Sequence, residues 1–332
     1  MIGTPPRGDT EEMWVPSVHL LADLGATNSR FAIASSRGRL RHPRILQAED
    51  FASPLAAIRH YLAELPPADR PREAALAVAA PIVGNRVTFV NRGWSFSIET
   101  LRRQLGFTRL LTLNDLEAQA YALLNLDPET CKKIGGGRAA TGAPRLAVGV
   151  GTGLGMAALL AGRDNPRVIA GEAGHATLAA TNRSEEQVLA AIRQRYGRAS
   201  VERALSGPGL SALYRALSPD GRASLDPPEV ARRARAGRDA IAVKAAQHFS
   251  RLLGGFCGDM ALAFGALGGV YVVGGVVPGL GRAFDRRAFR TAFEAKGRYR
   301  GYLARIPVIL VTCKDLGLRG LATYLRLRKH PS

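Results

Sequence analysis

The sequence predicts an α/β protein built from two halves that share one local motif. Two glycine-rich turns carry this prediction, because each lies between two short apolar strands, within residues 20–33 and 146–160. Apolar strands and amphipathic helices alternate in the remainder of the chain, which is typical of α/β folds. The repeated hairpin favours a duplicated architecture. For either turn taken alone, an ordinary glycine-rich hairpin remains the alternative.

The first turn has the chemistry of a phosphate-binding hairpin. Gly25, Thr27 and Asn28 form turns readily and present backbone N–H groups and small polar side chains. Asp23 ends the preceding strand, so a carboxylate lies at the mouth of the turn. N–H groups bind phosphate oxygens and carboxylates bind Mg²⁺. The hairpin therefore predicts a site for a polyphosphate with its magnesium ion.

The second turn, Gly151-Thr152-Gly153, repeats this chemistry and so predicts a nucleotide between the halves. Other nucleotide motifs are absent. No lysine follows a glycine, which excludes a Walker A loop, and the glycine run from Gly149 lacks G-x-G-x-x-G spacing. The chain also lacks the His-Arg-Asp loop of protein kinases and the Gly-x-Ser-x-Gly elbow of hydrolases.

Apolar periodicity and capping residues predict the other elements in order. The predicted strands are 74–80, 87–90, 110–113, 268–273 and 306–311, and the predicted helices are 53–65, 98–105, 116–124, 185–196, 229–238, 240–264 and 316–328. Ser97 is the expected N-cap of the second helix, and Ser184 forms an expected capping box with Gln187. Gly254-Gly255 is an expected kink. Residues 130–144, rich in Gly and Lys, are expected to form a surface connection.

Polar residues follow several of these elements. Asn114 and Asp115 lie where a strand ends and a helix begins, which is the ligand-binding edge of an open α/β sheet. One of the two suffices as an N-cap, which leaves the other free. Glu172 and His175 lie three residues apart in a glycine-containing loop, and Glu202 begins a short helix after Ser200. The sequence alone favours an interaction of Glu202 with the dipole of this short helix as its role.

Composition limits the class of protein. With 332 residues and 46% hydrophobic content, the chain has enough material for one large or two medium domains. No apolar run of about 18 residues predicts a transmembrane helix, and the first residues lack the apolar core of a secretory signal. We expect residues 1–17 to be a disordered tail. Three widely spaced cysteines favour a reducing, cytoplasmic location over disulfides or a zinc cluster.

The net charge of +19 arises almost entirely from arginine. These arginines are spread over several segments and are not interleaved with stacking aromatic residues, which make up only 6% of the chain. The pattern therefore favours an arginine-rich solvated surface over a specific nucleic-acid site. Some nonspecific affinity for polyanions is expected at low salt.

Taken in order, these motifs resemble those of the bacterial glucokinase family, within the wider superfamily of sugar kinases, actin and Hsp70. The resemblance extends from about Val18 to the last helix. It rests on residues 23–30, 81–82, 91 with 94–97, 114–115, 149–155, 171–175, 200–209 and 274–278. It implies a two-lobed, actin-like ATPase (ribonuclease H-like) fold with the active site in the cleft. The implied lobes are a small one, 18–125 plus 314–330, and a large one, 126–313.

The resemblance also implies an activity and a set of roles. The implied reaction is phosphorylation of the 6-hydroxyl of D-glucose by ATP, with Asp115 as general base. The residues implied to bind the sugar are Asn114, Asp115, Glu172, His175, Glu202 and Asn91. The residues implied to bind the nucleotide are Gly25, Ala26, Thr27, Asn28, Gly151, Thr152 and Gly153 at the phosphates, and Gly274 and Gly275 at the adenosine. Asp23 is implied to hold Mg²⁺ through water, and similar proteins are often homodimers.

Three departures from the family pattern leave the sugar open. Ala26 and Ala173 stand where glycine is usual, and Arg92-Gly93 replaces a more usual His-Thr beside the sugar. We expect Ala26 to weaken ATP binding, because a Cβ there hinders close approach of the backbone to phosphate. The alternatives are a kinase of another hexose or an amino sugar, and a sugar-binding regulator with weak catalysis. The Cys/His zinc cluster of the repressor/ORF/kinase branch is missing.

Overall fold

The computed structural model describes residues 18–25, 27–35, 38–89, 93–160, 162, 165–219, 221 and 224–329. The predicted tail, 1–17, lies outside this range, as do Ala26, Asn91 and Arg92. None of the helices in the described part of the chain is long and apolar enough to cross a membrane.

The first half of the chain forms one five-stranded sheet and one small three-stranded sheet. Its strands are β1 (His19–Leu24), β2 (Asn28–Ala34), β3 (Leu40–Gln47), β4 (Glu73–Val78), β5 (Ile82–Val83), β6 (Arg86–Thr88), β7 (Ser95–Ser97) and β8 (Arg109–Asn114). The large sheet has the order β3-β2-β1-β4-β8, in which β1 pairs antiparallel with β2 and parallel with β4. The predicted first hairpin is therefore present, with Asp23 opposite Arg30.

Helices cover both faces of this sheet. They are α1 (Pro54–Ala63), α2 (Ile98–Gln104) and α3 (Asp115–Ala122). On one face, the Phe31 and Tyr61 rings stack at 5.1 Å in a core that includes Ile58. Ser97 caps α2 as predicted, because its hydroxyl accepts the N–H of Thr100 at 3.1 Å.

The second half forms a six-stranded sheet with the order β12-β11-β10-β13-β14-β9. Its strands are β9 (Cys131–Gly135), β10 (Arg145–Val150), β11 (Leu154–Leu160), β12 (Arg167–Gly171), β13 (Val270–Val273) and β14 (Val308–Val311). The expectation that 130–144 is only a surface connection is wrong, since its first residues add β9 antiparallel to the edge of β14. The Lys and Gly residues of this segment do not favour a strand, and the strand forms because β14 provides a pairing partner.

The remaining helices lie in the second half of the chain. They are α4 (Arg183–Tyr196), α5 (Val201–Ala204), α6 (Gly207–Leu217), α7 (Pro227–Ala236), α8 (Ala240–Ala263), α9 (Val276–Leu280), α10 (Arg286–Glu294), α11 (Arg300–Arg305) and α12 (Leu316–Lys329). The N-cap of α4 is Asn182, not Ser184, because the Asn182 side chain accepts the N–H of Glu185. The Gly254-Gly255 pair does not interrupt α8.

The two sheets repeat one arrangement, as the two hairpins predicted. In each, an antiparallel hairpin is extended by a parallel strand on the side of its first strand, β4 in one sheet and β13 in the other. Helices α3 and α12 pack against each other between the sheets. One side of this pair contacts the first sheet through Tyr121 and Leu321, and the other contacts the second sheet through Leu116 and Leu316.

Candidate active site

The first hairpin turn requires a glycine at its start. The N–H of Gly25 donates to the carbonyl of Asn28 at 3.1 Å, which closes the turn. A Cβ on Gly25 would lie 2.8 Å from that same oxygen, closer than real Cβ contacts allow. Thr27 is exposed on the turn, and its carbonyl accepts the N–H of Ala48. The turn thus presents Thr27 and Asn28 at the end of β1, next to Asp23.

Asp23 lies against the first turn of α12. A Cβ on Gly317 would be 2.7 Å from Oδ2 of Asp23, so this approach requires a glycine in the helix. Burial raises the pKa of Asp23 to about 6, and the positive charge of Arg30 on the neighbouring strand opposes that rise. The carboxylate of Asp23 is therefore held at a helix N-terminus, where negative charge is favourable.

Asn114 and Asp115 divide two tasks between them at the start of α3. Asn114 is the N-cap, because its Oδ1 accepts the N–H groups of Leu116 at 2.9 Å and Glu117 at 3.4 Å. One oxygen of Asp115 also accepts from Leu116 at 2.9 Å, which fixes the orientation of its carboxylate. The amide nitrogen of Asn114 and the second oxygen of Asp115 have no partner among the described residues.

The pKa of Asp115 is far from that of an ordinary aspartate. Burial raises the pKa of Asp115 to about 7, and the nearby negative charges of Asp23 and Glu172 act in the same direction. The hydrogen bond from Leu116 only partly offsets these effects. The fold therefore places three carboxylates within electrostatic reach of one another, which keeps the pKa of Asp115 above that of an ordinary aspartate.

The second hairpin turn is tighter than the first. The N–H of Gly151 donates to the carbonyl of Gly153 at 2.9 Å, and the carbonyl of Gly151 accepts the N–H of Gly207 at 2.8 Å. Thr152 is exposed at the tip. Gly274 has φ +96°, and a Cβ on it would overlap the carbonyl of Val150. The Gly274-Gly275 turn after β13 therefore lies against the end of β10, beside the second hairpin.

The loop after β12 carries Glu172 and His175. Glu172 Oε2 lies 3.9 Å from His175 Nε2, and their side chains are 61% and 64% exposed. Both are therefore accessible to a ligand. Gly174 between them packs so closely on the carbonyl of Leu154 that a Cβ would overlap it.

Glu202, in the first turn of α5, reaches the second hairpin. Its Oε2 accepts the N–H of Leu154 at 2.9 Å. Leu154, the first residue of β11, therefore contacts Glu202 through its N–H and the Glu172 loop through its carbonyl oxygen. The expectation that Glu202 is only a dipole partner of its own helix misses this contact, which joins residues 48 positions apart.

The structure brings most of the predicted site residues to one region. Asp23, Asp115 and Glu172 share an electrostatic environment, and Glu202 contacts the second hairpin. Asn91 and Ala26 lie outside the described residues, so their predicted roles stay predictions. Sequence reasoning missed Leu116, whose side chain fills the space left by Gly149 and Gly155 in the hairpin strands. It also missed Gly317, whose only sequence signal is a glycine inside a predicted helix.

The residues at the first hairpin fit a magnesium ion that keeps most of its water. In the described ranges, no group of three or more His, Cys, Asp or Glu residues could hold a metal ion. A lone carboxylate such as Asp23, at the mouth of a phosphate-binding turn, suits Mg²⁺, which is typically bound by one or two carboxylates, water and substrate phosphates.

The fold is that of the two-lobed, actin-like sugar kinases. The crystal structure of a glucokinase from an Antarctic psychrotroph is similar over 95% of this chain and 99% of that one, with a TM-score of 0.83 and 32% identity. A ROK family glucokinase from Streptomyces griseus, solved with glucose and AMPPNP, is similar in fold over 93% of this chain and 99% of that one, with a TM-score of 0.60 at 19% identity.

The chain belongs to the glucokinase family. The sequence profile of the family, described as Glucokinase, matches residues 20–328. The Glucokinase of Aromatoleum aromaticum is 42% identical over 310 residues, which cover 92% of this chain and 94% of that protein. The "Bifunctional protein glk" of Burkholderia pseudomallei is 41% identical over 310 residues, but this chain spans only 48% of it. The family and fold class predicted from the sequence are thereby confirmed.

Proposed function

We propose that this chain transfers the γ-phosphoryl group of ATP to the 6-hydroxyl of D-glucose, giving glucose 6-phosphate and ADP. The observation that carries the proposal is the position of Asp115. It is a carboxylate at the carboxyl end of β8, with one oxygen fixed by the N–H of Leu116 and the other without a partner residue in the described part of the chain. Similarity to proteins named Glucokinase, over most of their length, supports the reaction.

Asp115 acts as the general base in this proposal. Its pKa, raised to about 7, matches a group that must accept a proton near neutral pH. The free carboxylate oxygen of Asp115 accepts the proton of the sugar 6-hydroxyl, while the oxygen of that hydroxyl attacks the γ-phosphorus and ADP leaves. The transferred phosphoryl group requires mainly alignment and neutralisation of its charge, so a single well-placed base suffices.

The sugar hydroxyls are bound by groups of mixed donor and acceptor character. We assign Asn114, Glu172, His175 and Glu202 to this role, together with Asn91 from outside the described residues. The amide of Asn114 has its nitrogen free to donate, because its oxygen caps α3. Carboxylates, an amide and an imidazole pair with both the donor and acceptor sides of hydroxyl groups. A wrong epimer leaves some of these groups unpaired, which favours one sugar over another.

The two hairpins bind the phosphates of ATP. The turn of residues 25–28 and the turn of residues 151–153 offer N–H groups and hydroxyls for this purpose, and Gly274-Gly275 lies beside the second turn, where the adenosine would rest. Asp23 would hold Mg²⁺ through water. When bound, the ion neutralises phosphate charge during transfer.

The proposed lobes are residues 18–125 plus 314–330 and residues 126–313. The first sheet lies within 19–114, and α12 packs on β1 and β4 from the far end of the chain. The second sheet lies within 131–311. Closure of the lobes over both substrates would exclude water, which otherwise competes with the sugar as phosphoryl acceptor. A homodimer and a cytoplasmic location also stay predictions, the first open to test by sedimentation equilibrium.

The direct test is MgATP with glucose, followed through a coupled glucose 6-phosphate dehydrogenase, with Asp115→Asn as the variant. We expect kcat to fall by about 10²–10⁴-fold, because the variant removes the base. Glucose should still bind the variant. For the wild type, kcat/KM should rise with pH through about 7, as the base becomes ionised.

Three other outcomes separate the alternatives. Activity on another hexose or an amino sugar, with none on glucose, would reassign the substrate and turn attention to Arg92, Gly93 and Ala173. Sugar binding without any phosphorylation would favour a sugar-binding regulator. An active Asp115→Asn variant would remove Asp115 from the role of base.

A further inference from the structure

The backbone of Leu154 joins the second phosphate hairpin to both parts of the proposed sugar site. Its N–H donates to Glu202 Oε2 at 2.9 Å, and its carbonyl oxygen lies directly on Gly174, between Glu172 and His175. Leu154 immediately follows the turn of residues 151–153. One short segment therefore ends the phosphate turn and supports both sugar loops.

Glu202 occupies the space that a side chain at position 153 would need. A Cβ on Gly153 would overlap Glu202 Oε2 and lie 3.3 Å from its Cδ. Apart from its chain neighbours, no other residue in the described part of the chain comes within 4 Å of that position. The φ of Gly153 is outside the left-handed region, so the backbone conformation does not itself require glycine.

We propose that Gly153 is a positioning residue of the sugar site. Its missing side chain keeps open the space in which Glu202 reaches the N–H of Leu154. That hydrogen bond fixes Oε2, whereas Oε1 has no partner among the described residues and is left to bind a sugar hydroxyl. The inference rests on the proposed function, in which Glu202 binds glucose. The glycine-rich turn then has two roles. Its N–H groups bind the phosphates, and the absence of a side chain at Gly153 lets Glu202 bind the sugar.

A side chain at position 153 has a specific consequence. The only atoms in its way belong to the end of a flexible glutamate, so Glu202 can swing aside and the protein still folds. The carboxylate then loses the hydrogen bond from Leu154 and its orientation toward the sugar. Loss of one charge-assisted hydrogen bond to a ligand typically weakens binding by about 10–100-fold.

The test compares Gly153→Ala with Gly151→Ala in the same turn. The Cβ position of Gly151 has no atom within 4 Å, so the control adds a methyl group without displacing Glu202. We expect calorimetric titration with glucose, without nucleotide, to give a Kd about 10–100-fold weaker for Gly153→Ala. Gly151→Ala should keep the wild-type glucose Kd within about twofold, whatever it does to ATP, because it leaves the Glu202 hydrogen bond intact.

A double-mutant cycle separates positioning from general damage. In a Glu202→Ala background, Gly153→Ala should have no further effect on glucose binding, because the group it displaces is already gone. Additive effects would overturn the inference, and so would wild-type glucose affinity in the Gly153→Ala variant. Failure of the wild-type protein to bind glucose would overturn the proposed function together with this inference, whereas the other two outcomes would overturn the inference alone.

Discussion

At the scale of single residues, the fold places Asp115, the proposed base, where its negative charge is unfavourable. Asp115 is buried and lies near Asp23 and Glu172, and its backbone hydrogen bonds offset these effects only in part, so ionising it in the folded protein is costly. A functional site commonly sacrifices stability in this way. The same carboxylate in the unfolded chain ionises at a pKa of about 3.9.

This cost gives a prediction about stability. The folded pKa of Asp115, about 7, lies above its unfolded value, so protonation favours the folded state and stability falls as the pH rises through 7. Asp115→Asn removes the charge and keeps an acceptor for Leu116. We expect its Tm to exceed that of the wild type at pH 8, by about 1–2 °C for each kcal/mol recovered. Differential scanning calorimetry from pH 4 to 8 measures the difference.

The difference should shrink toward pH 4, where Asp115 is protonated in the folded wild type. Asp50→Asn provides the control, because Asp50 is exposed and has no partner among the described residues. Its Tm should follow that of the wild type at every pH. An equal gain for Asp115→Asn at pH 4 and pH 8 would contradict the electrostatic explanation.

At the scale of elements, glycines inside helices set how closely those helices approach. On α12, Gly320 lies against the backbone of Ala118 in α3, where a Cβ would overlap the Ala118 carbonyl. One turn earlier, Gly317 makes room for Asp23. These two glycines therefore place α12 against both the helix that begins with Asp115 and the carboxylate proposed to hold Mg²⁺.

Adjacent glycines in α8 provide a matched test of this principle. Gly254 faces α10, and a Cβ there would overlap the carbonyl of Phe289, whereas the Cβ position of Gly255 has no atom within 4 Å. We expect Gly254→Ala to lower the free energy of unfolding by about 1–3 kcal/mol, since α10 must move away. Gly255→Ala should raise it by about 0.5–1 kcal/mol, because alanine favours the helix. Urea denaturation of both variants measures the changes.

The comparison separates packing from backbone flexibility. If the pair served as a hinge or kink, as the sequence suggested, both substitutions would stiffen α8 and change stability in the same direction. Effects of opposite sign would support helix packing as the reason for Gly254.

At the scale of the whole molecule, arginine supplies most of the net charge of +19, and only some of the arginines have a carboxylate partner among the described residues. Three surface arginines, Arg286, Arg287 and Arg300, help to line a cavity of about 470 Å³ beside α10. None of these three has an ion-pair partner in the described part of the chain. Such a surface attracts polyanions by releasing their counterions and reads no sequence.

We therefore expect weak, sequence-independent binding to duplex DNA. Fluorescence anisotropy with two unrelated duplexes should give equal affinities at 50 mM salt, and about 10³-fold or greater loss at 200 mM if six or more phosphates are contacted. Binding that survives 200 mM salt and prefers one duplex would instead indicate a specific nucleic-acid function.

The sequence by itself determined the α/β class, both hairpins, most helices and the family. Hairpin turns and helix caps are local, so Gly25 and Ser97 identify them without any knowledge of distant residues. The polar residues at strand ends were also recognisable, because strand and helix boundaries place Asn114 and Asp115 at the binding edge of a sheet.

Only the tertiary structure decided the properties that depend on residues far apart in the chain. The raised pKa of Asp115 requires its burial and the approach of Asp23 and Glu172, and the proposed role of Glu202 requires its contact with Leu154. The strand β9 exists because β14 offers it a partner. Gly153, Gly254 and Gly320 look alike in the sequence, but each is fixed by a different neighbour. Local propensity cannot reveal such neighbours, because packing and electrostatics act through space rather than along the chain.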